Sequence, residues 1–215
     1  MTVNYMTQAV KPIDDGSPSA TASKTNINDA LLTLQTATSI LHPGYIAGKN
    51  YLMSDSGTLT TAAPGAIDII YLIPFRVYST IVFTSASIRI GAGGTGSSMK
   101  SGIWANSTVS GRPLGTALYA DNTGIATTGT GQTSVPLAGT LSAGFYWWGA
   151  KHTGTLPTIT SVNQGLFLMP NANVTAAIGI SYADAYANNI ATLNFTEGAT
   201  FTGTASAIAA LQLNT

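Results

Sequence analysis

The segment Gly144-Phe145-Tyr146-Trp147-Trp148-Gly149-Ala150 places four consecutive aromatic residues between two glycines. Aromatic side chains favour strands, so this segment predicts a β-strand. Successive side chains of a strand point to opposite faces of its sheet, so Phe145 and Trp147 share one face while Tyr146 and Trp148 share the other. Only one of these two pairs can enter a single core. The other pair must be covered in another way or remain exposed.

The rest of the chain from Tyr45 onward has the same character. Short runs rich in hydroxyl, β-branched and aromatic residues alternate with turns that contain Gly, Asn or Pro. This pattern is typical of a β-sandwich or jelly roll, and no fixed repeat of about 20 to 50 residues indicates a solenoid or propeller. We therefore predict one all-β, antiparallel domain over residues 46–215, with Gly/Thr-rich loops at 91–98 and 121–132. The predicted strands are 51–53, 66–75, 79–85, 87–90, 100–104, 116–119, 133–137, 144–150, 165–168, 176–181 and 205–213.

The first 45 residues follow a different pattern and are predicted to form a separate attachment and oligomerisation segment. Residues 1–23 are rich in Pro, Asp, Gly and Ser, which indicates an extended arm because such a composition buries little apolar surface. Apolar residues then recur at spacings of three and four, which predicts one short α-helix over residues 26–41 that ends at His42-Pro43-Gly44. The residues predicted to anchor this helix are Ile27, Leu31, Leu34 and Leu41.

A helix this short is marginal by itself, so its apolar stripe needs a partner. Two arrangements fit the spacing: the helix packs on its own sandwich, or three copies form a stalk around a symmetry axis. Two heptads do not decide between them.

Charged residues are scarce. The 215 residues include eight basic and eight acidic ones, so 7% of the chain is charged, against about 25% in an ordinary globular protein. The surface must be solvated mainly by hydroxyls, amides and backbone, which is typical of subunits of larger particles. No basic stripe is present, so nucleic acid is not an expected partner. No run of 18 apolar residues occurs, so membrane insertion is not expected either.

The sequence does not favour enzymatic chemistry or a cofactor. The chain has no cysteine, and its two histidines are interpreted as surface residues without metal-ligand spacing. A glycanase needs two carboxylates about 5 to 9.5 Å apart, and the acidic residues of the body are scattered along the sequence. These histidines and acidic residues are His42, His152, Asp55, Asp68, Asp121, Asp184 and Glu197. We therefore predict no catalytic, metal or cofactor-binding residue, with a capsule-degrading glycanase as the enzymatic alternative.

The aromatic strand offers a candidate glycan contact. We predict that Tyr146 and Trp148 form the exposed pair, because Phe145 is the most apolar member of the run and its face should be buried. An exposed aromatic pair suits stacking against sugar rings, whereas burial beneath a loop, the helix or another subunit is the structural alternative. Arginines near predicted strand ends could bind a polysaccharide carboxylate or form salt bridges with Asp68 or Asp121. These arginines are Arg76, Arg89 and Arg112.

Five segments, taken in order, resemble a family of tailed-bacteriophage structural proteins. They are Ile70-Tyr71-Leu72-Ile73-Pro74-Phe75-Arg76-Val77, Lys100-Ser101-Gly102-Ile103-Trp104-Ala105, Gly111-Arg112-Pro113-Leu114-Gly115, Leu141-Ser142-Ala143-Gly144-Phe145-Tyr146-Trp147-Trp148 and Ala207-Ile208-Ala209-Ala210-Leu211-Gln212-Leu213. The resemblance covers residues 66–213 and implies a β-sandwich module of fibres, spikes and other virion appendages. It brings no catalytic motif, and it does not extend to the first 45 residues.

The resemblance implies a non-enzymatic virion protein that is assembled in the host cytoplasm. One version is a fibre or spike component that contacts host-surface polysaccharide. The other is a decoration or cement subunit that stabilises the capsid. In both, the N-terminal arm would contact other capsid or tail proteins, and the charge-poor surface and the apolar helix stripe predict a homotrimer.

Overall fold

The computed structural model describes residues 44–53, 58–163, 179–204 and 207–215. The chain divides into two units, Met1–Gly44 and Tyr45–Thr215, and the second contains all the strands described below. The predicted arm, the helix over 26–41 and its residues Ile27, Leu31, Leu34 and Leu41 lie outside the described residues, as does the predicted strand over 165–168. They remain predictions.

The described residues form short, antiparallel strands and a single turn of 3₁₀ helix at Ile190–Thr192. In chain order the strands are β1 (Asn50–Leu52), β2 (Thr58–Ala62), β3 (Ile69–Val77), β4 (Ile81–Phe83), β5 (Ser85–Ala92), β6 (Ser98–Asn106), β7 (Pro113–Ala126), β8 (Gly131–Val135), β9 (Gly139–Leu141), β10 (Gly144–Thr153), β11 (Thr158–Asn163), β12 (Gly179–Ala183), β13 (Asn194–Phe195), β14 (Thr202–Thr204) and β15 (Gln212–Asn214).

Two large sheets organise the domain. One has the order β1-β15-β5-β11-β2, with β8 on the other edge of β5, and the other has the order β13-β7-β6-β10-β3-β12-β14. We call them the six-stranded and the seven-stranded sheet. A two-stranded sheet of β4 and β9 accompanies them. The predicted all-β antiparallel sandwich is thus confirmed.

The main core lies between the two large sheets. Alternate residues of β3 and β10, such as Phe75 and Trp148, point toward the six-stranded sheet and are buried. They meet Ile88 and Ile90 of β5 and Leu213 of β15. We call this side of the seven-stranded sheet its inner face. Neighbouring residues of these strands point to opposite faces of the sheet, as in any β-strand, and burial is nearly continuous along both strands.

The opposite, outer face of the seven-stranded sheet is covered as well. A second apolar cluster contains Trp104 and Trp147 of this face together with Ile190 and Phe195, which come from the segment after β12. The cluster fits tightly because β6 and β10 carry glycines at paired positions, Gly102 opposite Gly149. A Cβ atom at either glycine would come 2.9 Å from the indole of Trp104, so the ring packs directly on the backbone. The sheet is therefore apolar on both faces.

The outer face of the six-stranded sheet carries mainly neutral polar side chains, with Arg89 as an exposed charge. Ser87 Oγ donates to the side chains of Gln212 and Asn214 at 3.4 Å, and Gln132 Nε2 donates to Ser87 Oγ at 2.9 Å. Asn214 Nδ2 in turn donates to Ser85 Oγ at 2.8 Å. Amide and hydroxyl side chains thus form cross-strand hydrogen bonds on this surface, as expected for a chain with so few charges.

Most of one predicted loop proved to be strand. Residues 121–132 were expected to form a Gly/Thr-rich loop, but β7 extends through Ala126 and β8 begins at Gly131. The register of β6 against β7 shifts between Met99 and Ser101, so β7 continues past an irregularity. Gly124 lies in this irregular stretch with a φ of +83°, a conformation open mainly to glycine. Thr/Gly composition here reflects a bulged strand rather than a loop.

Candidate functional site

The outer face of β10 leads from a buried ion pair to an exposed ring. Lys151 lies at one end, Gly149 and Trp147 follow, and Phe145 lies at the other end. Lys151 and Trp147 are buried, whereas Phe145 is 50% exposed. The change occurs because the segment after β12 covers Trp147 and Lys151, while no described residue buries the start of β10. The two features of chemical interest on this face of β10 are therefore the ion pair of Lys151 and the exposed ring of Phe145.

The predicted exposure of Trp148 is wrong. Its side chain is 0% exposed in the main core, and its indole N–H donates to the carbonyl of Ala209 at 3.0 Å. Tyr146 is on the same inner face, half-buried, with its ring 5.8 Å from that of Phe75 and its hydroxyl donating to Ser142 O. The pKa of Tyr146 is raised, mainly because its hydroxyl is partly buried. The prediction assumed that only one face of β10 is covered. Both faces are covered, so Trp148 is buried in the main core and Trp147 in the outer apolar cluster.

The exposed aromatic residue is Phe145 instead. Arg76 lies directly opposite it on β3, and the Arg76 guanidinium carbon is 5.4 Å from the centre of the Phe145 ring. The same guanidinium is 4.8 Å from the ring of Tyr78. The backbone N–H of Tyr78 donates to the hydroxyl of Tyr45 at 3.3 Å, which fixes this end of β3. We call Arg76, Tyr78 and Phe145 the guanidinium–aromatic patch.

The guanidinium of Arg76 is positioned by rings rather than by acids. Within the described ranges it has neither a hydrogen-bond acceptor nor a carboxylate within 4 Å, so the predicted salt bridge to Asp68 or Asp121 is not formed. Asp68 accepts the backbone N–H of Tyr186, and Asp121 accepts that of Gly124. Rings contact a guanidinium through its faces, so its in-plane N–H donors remain available to a ligand.

A buried cationic network lies at the other end of this face of β10. Lys151 is 0% exposed, forms an ion pair with Asp184 and donates to the carbonyls of Ala185 and Asn188. Asp184 also accepts the side-chain amide of Asn188 at 2.8 Å. Lys151 thereby holds the segment after β12 onto the sheet. The contacts of Lys151 thus link β10 to this segment.

Lys100 completes this network from the neighbouring strand. It lies directly opposite Lys151 on β6, donates to the carbonyls of Tyr186 and Asn188, and contacts the Tyr186 ring at 4.9 Å. Lys151 takes the carboxylate of Asp184, and backbone carbonyls and the Tyr186 ring stabilise the charge of Lys100. Sequence reasoning missed this network. The available signal was a lysine at the end of each of two otherwise apolar strands.

Folding brings two of the scattered carboxylates into one region. The backbone N–H of Asp184 donates to the carbonyl of Asp68 at 3.1 Å, beside the pairing of β3 with β12. Each carboxylate is already engaged, that of Asp184 with Lys151 and that of Asp68 with the Tyr186 backbone. These contacts hold the covering segment in place.

His152 is not the surface residue that the sequence indicated. It belongs to β10, points to the inner face and is 2% exposed. Its Nδ1 atom is buried and has no hydrogen-bond partner among the described residues. Burial lowers the pKa of His152 from 6.5 to about 4, because the charged ring would lose its hydration without gaining a partner.

This burial predicts acid sensitivity. The unfolded chain takes up the His152 proton near pH 6.5 and the folded chain only near pH 4, so stability is complete above pH 6.5 and falls between these values. The two pKa values correspond to about 3 kcal/mol of unfolding free energy. Urea unfolding from pH 7 to pH 4 should show this loss, and His152→Gln should reduce it. His42 is present in both proteins and serves as the internal control. Equal pH slopes would contradict the assignment.

Comparison of the sequence with protein-family models and with curated proteins gives no significant match. Within the described residues no three His, Asp or Glu side chains come close enough to hold a metal ion. The same residues contain no helix long and apolar enough to cross a membrane.

Proposed function

We propose that this protein is a non-enzymatic structural component of a bacteriophage virion, exposed on a fibre or spike, and that its sandwich contacts glycans of the host surface. The observation that carries the proposal is the guanidinium–aromatic patch, where an exposed Phe145 ring lies beside an arginine that has no carboxylate partner among the described residues. Aromatic faces stack on sugar rings, and arginine donors bind sugar oxygens. The five segments that resemble phage appendage proteins supply the particle context.

The alternative within the same class is a decoration or cement protein of the capsid. The outer face of the six-stranded sheet favours it, because its amide and hydroxyl side chains, with Arg89 among them, suit a broad and largely polar contact with a lattice. The fibre or spike version places the protein on the tail appendages and requires the guanidinium–aromatic patch. The decoration version places it on the capsid and does not require the patch. A glycanase remains the enzymatic alternative.

Labelling tests the proposal directly. Immunogold electron microscopy of intact particles, with an antibody raised against the full chain, should label the tail appendages. Label confined to the head would favour the decoration version, and label on neither part would contradict both. Incubation of host cells with the purified full chain should also block subsequent adsorption of the particles. Release of reducing sugar from the capsule would instead support the glycanase.

We also propose that the protein is a homotrimer. Native mass spectrometry or light scattering at micromolar concentration should give three times the chain mass of 22.0 kDa. If the helix stripe forms a stalk, Leu34→Asp should yield monomers, whereas Thr36→Asp on the opposite side of the predicted helix should not. A trimer that survives Leu34→Asp would place the interface on the sandwich. A monomeric wild-type chain would contradict autonomous assembly.

A further inference from the structure

The guanidinium–aromatic patch combines two kinds of recognition at one point. Phe145 offers an apolar ring face that is half exposed, and Arg76 beside it is exposed and carries a full charge. The remaining ring contact, that of Tyr78, covers another side of the guanidinium at 4.8 Å. A ligand for this patch must therefore present an apolar ring face and an anionic group close together.

A carboxylated sugar has this combination. The C–H face of a pyranose ring packs on an aromatic ring, and its carboxylate matches the planar fork of an arginine with two parallel hydrogen bonds. A neutral sugar would leave the guanidinium of Arg76 without an anionic partner. A simple anion would make no stacking contact with the Phe145 ring. We infer that the patch binds carboxylated polysaccharide, with uronic acid residues stacked on Phe145 and held by Arg76. This inference rests on the proposed function.

The charge distribution supports this choice. The chain has only eight basic residues among 215, so the surface does not attract anions in general. Lys100 and Lys151 are buried and bonded to carbonyls, which removes them from the surface charge. Arg112 contacts the ring of Phe201, at 5.7 Å, on a different part of the outer face. Among the described residues, Arg76 is the cationic side chain in contact with the Phe145 ring, so the patch relies on it to attract a carboxylate.

The patch is also preorganised. Arg76 and Phe145 are directly paired across β3 and β10, so their backbones are held by the sheet. The Tyr45 hydroxyl bond to the Tyr78 backbone fixes the residue that follows β3. Groups on paired strands lose little freedom when a ligand binds, which favours a specific contact.

Titration of the isotopically labelled full chain with defined probes tests the inference by NMR. Sodium D-glucuronate and polygalacturonate should shift the Arg76 Nε–H signal and the Phe145 ring signals. Their methyl esters keep the ring but lose the charge, and should bind at least tenfold more weakly. Dextran sulfate supplies anions without carboxylates, and should also bind at least tenfold more weakly than polygalacturonate.

Variants separate the two groups. Arg76→Gln and Phe145→Ala should each weaken uronate binding at least tenfold, and Phe145→Tyr should retain it. Arg76→Lys keeps the charge but loses the fork and should bind more weakly than wild type. Arg89→Gln is the matched control, because Arg89 is an exposed arginine on the six-stranded sheet, and it should bind as wild type.

Three results would overturn the inference: no uronate shift at Arg76, equal binding of the methyl esters, or binding unchanged in Arg76→Gln. Equal, Arg76-dependent binding of dextran sulfate would overturn the preference for carboxylate. Failure here leaves the proposed function intact, because a virion protein could contact a neutral glycan through Phe145. Conversely, particles without label would refute the proposed function while measured uronate binding would stand.

Discussion

Replacement of Trp148 by Ala should lower the free energy of unfolding by about 3 to 5 kcal/mol, the range for truncating a buried aromatic side chain. The indole is 0% exposed in the main core, so the change leaves a cavity between the two large sheets. It also leaves the carbonyl of Ala209 without its donor. Urea unfolding followed by circular dichroism measures the loss.

Phe145→Ala is the matched control for this prediction, because it truncates an aromatic residue of the same strand. Phe145 is 50% exposed, so we expect a loss of less than about 1 kcal/mol. If Trp148→Ala proved harmless and Phe145→Ala unfolded the domain, the face assignment of β10 would be reversed. The pair also separates stability from binding, since Phe145→Ala should lose uronate binding while remaining folded.

Replacement of Lys151 by Met should lower the free energy of unfolding by about 3 to 5 kcal/mol, the range for removing one partner of a buried ion pair. Methionine keeps an unbranched side chain but leaves the carboxylate of Asp184 buried without its cation. The carbonyls of Ala185 and Asn188 lose a donor as well. Urea unfolding measures this change, which should loosen the segment that covers Trp104 and Trp147.

Two further variants make the experiment specific. Lys49→Met removes the same charge from an exposed position and should change stability by less than about 0.5 kcal/mol. The double variant Lys151→Met/Asp184→Leu removes both buried charges and should be more stable than Lys151→Met alone. A single variant within 1 kcal/mol of wild type would show that Lys100 takes over the carboxylate of Asp184.

The composition and alternation of the sequence predicted the strands that pack in the main core. The predicted strands over 100–104 and 144–150 fall within β6 and β10, because both segments carry aromatic residues, which favour strands. Sequence reasoning failed where a bulge or a tertiary contact decided the outcome. Residues 121–126 read as a loop because of their Gly and Thr content, yet pairing with β6 makes them part of β7.

The candidate site was predicted on the correct strand but on the wrong face. The sequence identified β10 and Arg76 as candidates for glycan contact, but it assigned exposure to Tyr146 and Trp148. Exposure depended on what covers each face, and the covering residues Ile190 and Phe195 lie more than 40 positions further along the chain. No local pattern indicates that such a segment folds back over Trp147.

The sequence by itself determined the class of fold, the paired facing of the four aromatic residues and a surface with few charges. These properties follow from local alternation and composition, which do not depend on distant residues. Tertiary structure alone decided that both tryptophans are buried, that Lys151 and His152 lie inside, and that Arg76 meets Phe145. The physical reason is that burial and pairing are set by contacts between strands far apart in the chain, since a sheet has two faces and each needs its own cover.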